Sequence, residues 1–575
     1  MHMKNTSRKT QSFLHGSLIL IIATALVKII GAIYKIPLYN ILDNTGVGYY
    51  TTVYDLYTPM YTIAMAGLPI AISRLVAEQV SLASYREAKH IFKIAKRAMW
   101  VTGGIGFLLM MALAVPYAIY KGTDELIPCV FCIAPCLLFC CVMSSYRGYY
   151  EGLRNMTPTA VSEVIEALGK LAFGLVLAVA IKKLTGNMTY AVCGALLGIT
   201  LGTAVSALYL VIKYKRTSRS DFTDEQLTLS PAEQSGKQAL RVIVAMALPI
   251  VLGSLVTQVT TLIDNLMITA RLSAAIKTDG AYIAEMYKTL IGEETKAYLA
   301  DGKVFNMAND LPMILYGSHR GLAFSIYNLV PVITSVLGVS AIPVLTSAWT
   351  VKDRDELKSS METILRTTAA VSMPAAFGLI ALGRQVVLLL YSSKGASAET
   401  AGINLCILGV CALFAGLTAP TTSMLQAIGK QKIPLYNIAV GAGIKIIINF
   451  VLVGTPAVNI IGVPIGTTAC YAYICIMNII ALVKHSGVKP DFIGCILKPF
   501  LAGLACGVSA FVSALLLDKF SHFGNSIITV VSIVFAVVIY LIFVGFMKII
   551  KKNDIISLPS GEKIAKVLEK LHVIG

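Results

Sequence analysis

The chain is 575 residues long, 56% hydrophobic and only 14% charged, with a mean hydropathy of +0.76. A soluble globule of this length would lack the polar residues to cover its surface, so a bilayer is the expected solvent. The formal charge of +18 would suggest nucleic acid in a soluble protein, but here Lys and Arg gather in short segments between apolar runs. That distribution reads as membrane topology and argues against a nucleic-acid partner.

A spanning helix needs about 20 mostly apolar residues. Fourteen such runs follow one another, and the predicted architecture is all-α and integral to the membrane. The first seven cover 13–34, 49–77, 95–120, 126–149, 158–181, 190–212 and 239–270; the second seven cover 314–349, 364–391, 403–428, 433–453, 461–483, 492–517 and 526–549. Lys4, Arg8 and Lys9 ahead of an apolar stretch imitate a secretory signal, and Ala23-Thr24-Ala25 imitates its cleavage site. The run continues past Lys28 to Tyr34, however, and is long enough to span as a first helix.

Charge checks this reading, because loops on the cytoplasmic side are enriched in Lys and Arg. With a cytoplasmic amino terminus, roughly 32 of the basic residues fall on cytoplasmic segments, roughly 12 outside and about four within spans. Both termini are then cytoplasmic, and Lys182 with Lys183 breaks the alternation. All 12 cysteines lie in apolar runs, where a thiol acts as a small hydrophobe, so no disulfide framework is expected. Cys129-x-x-Cys132 has no charged or His neighbour that would complete a metal site.

A weak internal repeat runs at an offset of about 270 residues, a feature common in transporter folds. Gly67-Leu68-Pro69-Ile70-Ala71-Ile72 before Tyr85-Arg86-Glu87 echoes Gly338-Val339-Ser340-Ala341-Ile342-Pro343 before Arg354-Asp355-Glu356. Tyr150 to Asn155 with Pro158 and Lys170 echoes Leu425 to Lys430 with Pro434 and Lys445. The expected organisation is a six-helix lobe (1–212), a cytoplasmic linker (213–238), a second six-helix lobe (239–485), and two additional helices with a cytoplasmic tail (486–575). The linker is rich in Ser, Thr and charge and reads as flexible; the outer segment 271–312 is expected to carry a short surface helix.

The sequence contains no phosphate loop, zinc helix or nucleophile elbow, so a transporter is expected and not an enzyme. No cofactor or metal set is expected. Uphill transport would draw on membrane potential, an H+ or Na+ gradient, or downstream consumption of product.

Ionisable groups at membrane depth carry the functional signal, since each costs about 2.5 to 3.5 kcal/mol at a helix centre unless it faces protein or water. Lys28, Lys170, Asp264, Arg384 and Lys445 qualify. Lys28 and Lys35 are two turns apart on one face and make a cationic stripe, although Lys35 could equally snorkel to the interface. Glu163, Glu166 and Lys170 stand at spacings of three and four, so Glu166 and Lys170 can pair along one helix. Lys445 has Gly441 and Asn449 one turn away and no local carboxylate, which makes it either a substrate cation or one half of a cross-helix pair. Asp264, beside Asn265, is either a proton or cation site or the counterion of a lysine. Arg320, next to His319, suits a phosphate or a lipid headgroup.

These residues resemble the multidrug/oligosaccharidyl-lipid/polysaccharide exporter superfamily, in particular its bacterial branch of stage V sporulation protein B and MurJ-like lipid II flippases. The resemblance covers most of the chain and is strongest at Leu26-Val27-Lys28-Ile29-Ile30-Gly31 with Lys35-Ile36-Pro37, and at Gly67 to Glu78. It implies two six-helix lobes around a cationic cavity and two further helices forming a groove for a polyprenyl tail. The implied substrate is an undecaprenyl-pyrophosphate-linked sugar turned to the outer leaflet by alternating access in a bacterial plasma membrane, with membrane lipids and cell-wall synthesis proteins as partners. Lys28 stands where MurJ-like proteins have a cavity arginine. A second such arginine aligns near Tyr34, a third near Thr62 with no basic replacement, and a fourth near Asn328, two turns beyond Arg320. Alternatives are a cation-coupled small-molecule exporter of the same superfamily, a membrane glycosyltransferase or polymerase using Glu293, Glu294 and Asp310, and a scaffold of wall synthesis.

Overall fold

A computed structural model of the chain describes residues 13–549, apart from 67, 218–221, 223, 229, 232–234, 301, 303 and 521–523. The amino-terminal Lys4, Arg8 and Lys9, the motif residue Gly67 and the tail 550–575 therefore lie outside the described residues. The described chain is helical throughout its ordered elements. We number the long helices α1 (Phe13–Ile41), α2 (Asn44–Ala66), α3 (Tyr85–Lys121), α4 (Leu126–Gly152), α5 (Thr157–Thr185), α6 (Met188–Thr217) and α7 (Gly236–Thr278). They continue as α8 (310–350), α9 (Arg354–Leu390), α10 (Ala396–Ala427), α11 (Lys432–Val453), α12 (Asn459–Ser486), α13 (Ile493–Phe520) and α14 (Asn525–Phe546). Ten of these are long and apolar enough to cross a membrane by length and composition, and α1, α2, α7 and α8 occupy the four other expected spans.

Local chemistry sets the helix ends. Gly122, at φ 73°, closes α3 by returning its N–H to the Ala118 and Ile119 carbonyls, a conformation that glycine adopts without a Cβ penalty. Asp353 opens α9 by accepting the N–H groups of Asp355 and Glu356. Lys182, which breaks the charge alternation, donates from Nζ to the Ile41 carbonyl at 2.5 Å, so this cation serves the carboxyl end of α1.

The chain divides into two compact units, one of residues up to 42 with 49–262, the other of 43–48 with 263 onward. In the first unit α4 packs on α3, on α6 and on the helix Leu68–Ser81, while α5 packs closely on α6. Gly202 permits this approach, since a Cβ there would lie 2.5 Å from the Lys170 backbone nitrogen. In the second unit α10 packs on α8, α9 and α12, and α11 packs on α12, the same arrangement about 270 residues on. α13 and α14 pack on each other and on α9, within that second unit.

Two expectations need correction. The described part of the linker is docked, not loose: Phe222 is buried against Tyr85 with ring centroids 5.0 Å apart, because an apolar side chain gains by leaving water. The outer segment forms two helices, Gly280–Met286 and Lys288–Ala300, whose Ile283, Tyr287 and Leu290 enter the core of the second unit with Leu311 and Ile460.

Candidate functional site

In the first unit the ionisable residues of α5 meet an arginine from α4. Glu166 is buried; its Oε2 lies 3.0 Å from Arg147 Nη2 and its Oε1 2.6 Å from Lys170 Nζ. Arg147 Nε also donates to Ser162 Oγ at 2.8 Å, and Lys170 Nζ stands 5.9 Å from the centre of the Tyr61 ring. The expected Glu166–Lys170 pair is therefore part of a triad in which two cations share one carboxylate. The face of Tyr61 adds a cation–π contact to Lys170. No local spacing marks Arg147, although its place inside the expected span 126–149 is itself a signal. Glu163, one turn before Glu166, accepts from Thr24 Oγ1 of α1 at 3.1 Å and is not in the triad. Lys28 and Lys35 are both half-buried on α1.

In the second unit Lys445 on α11 pairs directly with Asp264 on α7, and Asn449 Nδ2 donates to the other Asp264 oxygen at 3.3 Å. Asn449 is fully buried; a Cβ on Gly466 would collide with its Oδ1, so glycine at 466 makes room for it. In this structure Asp264 has a lysine as its counterion, and Lys445 is one half of a cross-helix pair. The Asn449 Oδ1 and the His319 Nδ1 are buried and have no hydrogen-bond partner among the described residues.

Arg320 sits in a π-helical turn, Ser318–Ala323, within α8, its guanidinium 4.4 Å from the centre of the Phe324 ring. Such turns widen a helix and re-aim side chains, and they recur at functional positions. Asn328 is exposed at the break between the helical segments Phe324–Tyr327 and Leu329–Thr350 of α8. Arg384, expected at membrane depth, is exposed near the end of α9 and pairs with Glu399 at 2.9 Å.

The carboxylates of segment 271–312 are used structurally. Glu293 Oε2 accepts the Ala396 N–H at 2.9 Å, and Glu294 Oε1 accepts from Asn44 at 2.6 Å. Burial and the nearby Asp43 and Glu293 push the Glu294 carboxyl up to about 7, against the pull of Asn44 and Lys394. All 12 cysteines are free thiols, and Cys129 lies 3.6 Å from Cys193, sulfur to sulfur, inside the packed first unit.

Comparison with known proteins agrees with this architecture. The polysaccharide biosynthesis protein family matches residues 13–349, and the MatE family matches residues 319–451. The chain is similar to stage V sporulation protein B of Bacillus subtilis (strain 168), with 23% identity over 96% of this chain and 98% of that protein. It is also similar to the lipid II flippase MurJ of Bacillus subtilis (strain 168), at 23% identity over 83% of this chain and 84% of that one. A solved structure of lipid II flippase MurJ in an inward closed conformation has the same fold, with a TM-score of 0.60 at 14% identity, covering 92% of this chain and 98% of that chain. With more than half of its length matched, a multi-pass helical fold in common and transporters among its relatives, the chain belongs to the polysaccharide biosynthesis protein family, in the superfamily branch of stage V sporulation protein B and MurJ-like flippases.

Proposed function

We propose that this membrane protein is a flippase that turns an undecaprenyl-pyrophosphate-linked cell-wall sugar precursor, lipid II or a close relative, from the inner to the outer leaflet by alternating access. Its place is a bacterial plasma membrane with both termini in the cytoplasm. The observation that carries this reading is the pair α13–α14, which exceeds the repeated helices and packs on α9. It presents exposed apolar side chains such as Phe511, Leu515, Val534 and Leu541, a surface suited to a long isoprenoid tail. The pyrophosphate needs cations in a dry setting. The cations in question are Lys28, Lys35 and Lys170 in the first unit and Arg320 and Lys445 in the second, with Lys170 paired to Glu166 and Lys445 to Asp264.

The test is lipid II accessibility on the outer leaflet of a bacterium whose own flippase is switched off while this chain is expressed. Accessibility is expected to return, and to be lost in Lys28→Ala at unchanged membrane abundance. A Lys28→Ala variant as active as the parent would remove the leading cation of the reading. No accessibility with abundant protein would favour a cation-coupled exporter driven by H+ or Na+. The buried Asp264 with Asn449 is the observation that supports that second reading, because a carboxylate and an amide oxygen can hold a proton or a monovalent cation once the lysine moves away.

A further inference from the structure

The internal repeat contains two equivalent helix corners, one in each unit, and they are filled differently. In the first unit the helix Leu68–Ser81 is followed by a turn at Ala83, with φ 54°, before α3 begins. In the second, α8 is followed by a turn at Lys352, with φ 58°, before α9 begins. The closing bonds match: Ala83 N–H to Val80 and Ser84 N–H to Gln79, against Lys352 N–H to Trp349 and Asp353 N–H to Ala348. α6 ends beside the first corner at Thr217, and α12 ends beside the second at Ser486.

The first corner is occupied by the chain itself. Ser230 Oγ accepts the N–H groups of Tyr85 and Arg86 at 2.9 and 3.3 Å, and Phe222 packs on Tyr85 with Lys89 Nζ 5.5 Å from its ring. Ser84 makes no side-chain cap, so the linker supplies one. The second corner caps itself through Asp353, which frees the space above it. That space is a cleft of about 700 Å³ lined by Trp349, Lys352, Asp353, Arg354, Lys484 and His485, among others.

Three cationic residues, Lys352, Arg354 and Lys484, thus line one cleft beside His485, whose Nδ1 is bonded to the Ala481 carbonyl; the cleft has a single acidic lining residue, Asp353, and both N–H groups that it accepts belong to α9. Among the described residues Lys352, Arg354 and Lys484 have no ion-pair partner. Lys484 and His485 lie in the last turn of α12, where a cation suits the helix dipole without any ligand. Arg354 stands in the first turn of α9, where that dipole opposes it, and so its placement is not explained by the helix. The floor is apolar: Leu345, Ala348, Leu357, Leu482 and Val488 form one buried cluster that reaches Cys495 at the foot of α13. Trp349 is half-buried at the rim, the position favoured by indole at a membrane surface.

We propose that this cleft binds the phosphate of an anionic membrane lipid headgroup at the cytoplasmic face of the second unit, as a site separate from the residues assigned to transport above. Basic pockets between the cytoplasmic ends of spanning helices hold such headgroups through charge-assisted hydrogen bonds. The sidedness rests on the proposed orientation; the phosphate chemistry does not.

Trp349 and Trp100 are the two tryptophans of the chain, so Trp100→Phe leaves a single reporter in the cleft. The full-length Trp100→Phe protein in zwitterionic nanodiscs is titrated with phosphatidylglycerol, with a polyprenyl pyrophosphate and, separately, with inorganic pyrophosphate. A saturable change in Trp349 emission with the lipid phosphates is expected, weakened at least ten-fold in K352Q/R354Q/K484Q at unchanged Tm. A response that does not saturate, or that survives the triple substitution, would overturn the site. Tighter binding of inorganic pyrophosphate than of either lipid would assign the cleft to a soluble phosphate and overturn the lipid assignment. Lys28→Ala is expected to bind as the parent does, so loss of flipping and loss of this site are read independently.

Discussion

Lys445 and Asp264 are 181 positions apart in the chain, and neither declares its role alone. A lysine at membrane depth is legible as a costly charge, but the carboxylate that answers it comes from another helix and no spacing rule reaches it. The local half of the first-unit network was legible, since Glu166 and Lys170 stand at i and i+4, whereas Arg147 completes it from α4. Breaking a buried pair strands a charge at a cost of about 3–5 kcal/mol, while replacing both partners by neutral side chains of similar volume is close to neutral. Asp264→Asn alone is therefore expected to lower the melting temperature of the purified protein sharply, with D264N/K445M recovering most of the loss. Equal destabilisation by the single and double variants would show that the two residues act independently. Flipping measured on the double variant then reports whether the pair does more than hold α7 to α11.

At the scale of the element, the outer helix Lys288–Ala300 is held in the second unit by carboxylates that the sequence displays but cannot place. Glu294 receives its hydrogen bond from Asn44, in the α1–α2 turn that belongs to the second unit. Its carboxyl keeps its proton up to about pH 7 in the native state, against an ordinary value of 4.5. The native state then binds more protons than the unfolded state between those values, so its contribution to stability is fully present below pH 4.5 and is lost as pH rises toward 7. The slope for one such group is at most about 1.4 kcal/mol per pH unit. Hydrogen exchange of residues 280–300 is expected to quicken between pH 5 and 7 beyond its intrinsic pH dependence, and Glu294→Gln to flatten that extra component. An unchanged profile in the variant would place the titrating group elsewhere. The linker teaches the complementary lesson: its polar composition suggested a loose tether, and one phenylalanine with one serine was enough to dock its described part.

At the scale of the whole molecule, an even number of spans requires both termini on the same side, and the proposed orientation, drawn from the basic segments between spans, makes that side the cytoplasm. A fluorescent protein fused after Gly575 is expected to fold and fluoresce, and alkaline phosphatase inserted in the outer segment near residue 302 to be active. Activity in the opposite pair of positions would invert the proposed orientation. Apolar run length, turn residues and basic loops fix helix number and order, because the bilayer imposes one length and one backbone solution on every crossing. The repeat at about 270 residues and the two helices beyond it follow from the same pattern. The tertiary structure alone decided which buried charges neutralise each other, where α8 widens around Arg320, and that one helix corner is filled while its counterpart stays open. Those outcomes depend on contacts between residues far apart in the chain, and a side chain's charge carries no record of the partner that packing brings to it.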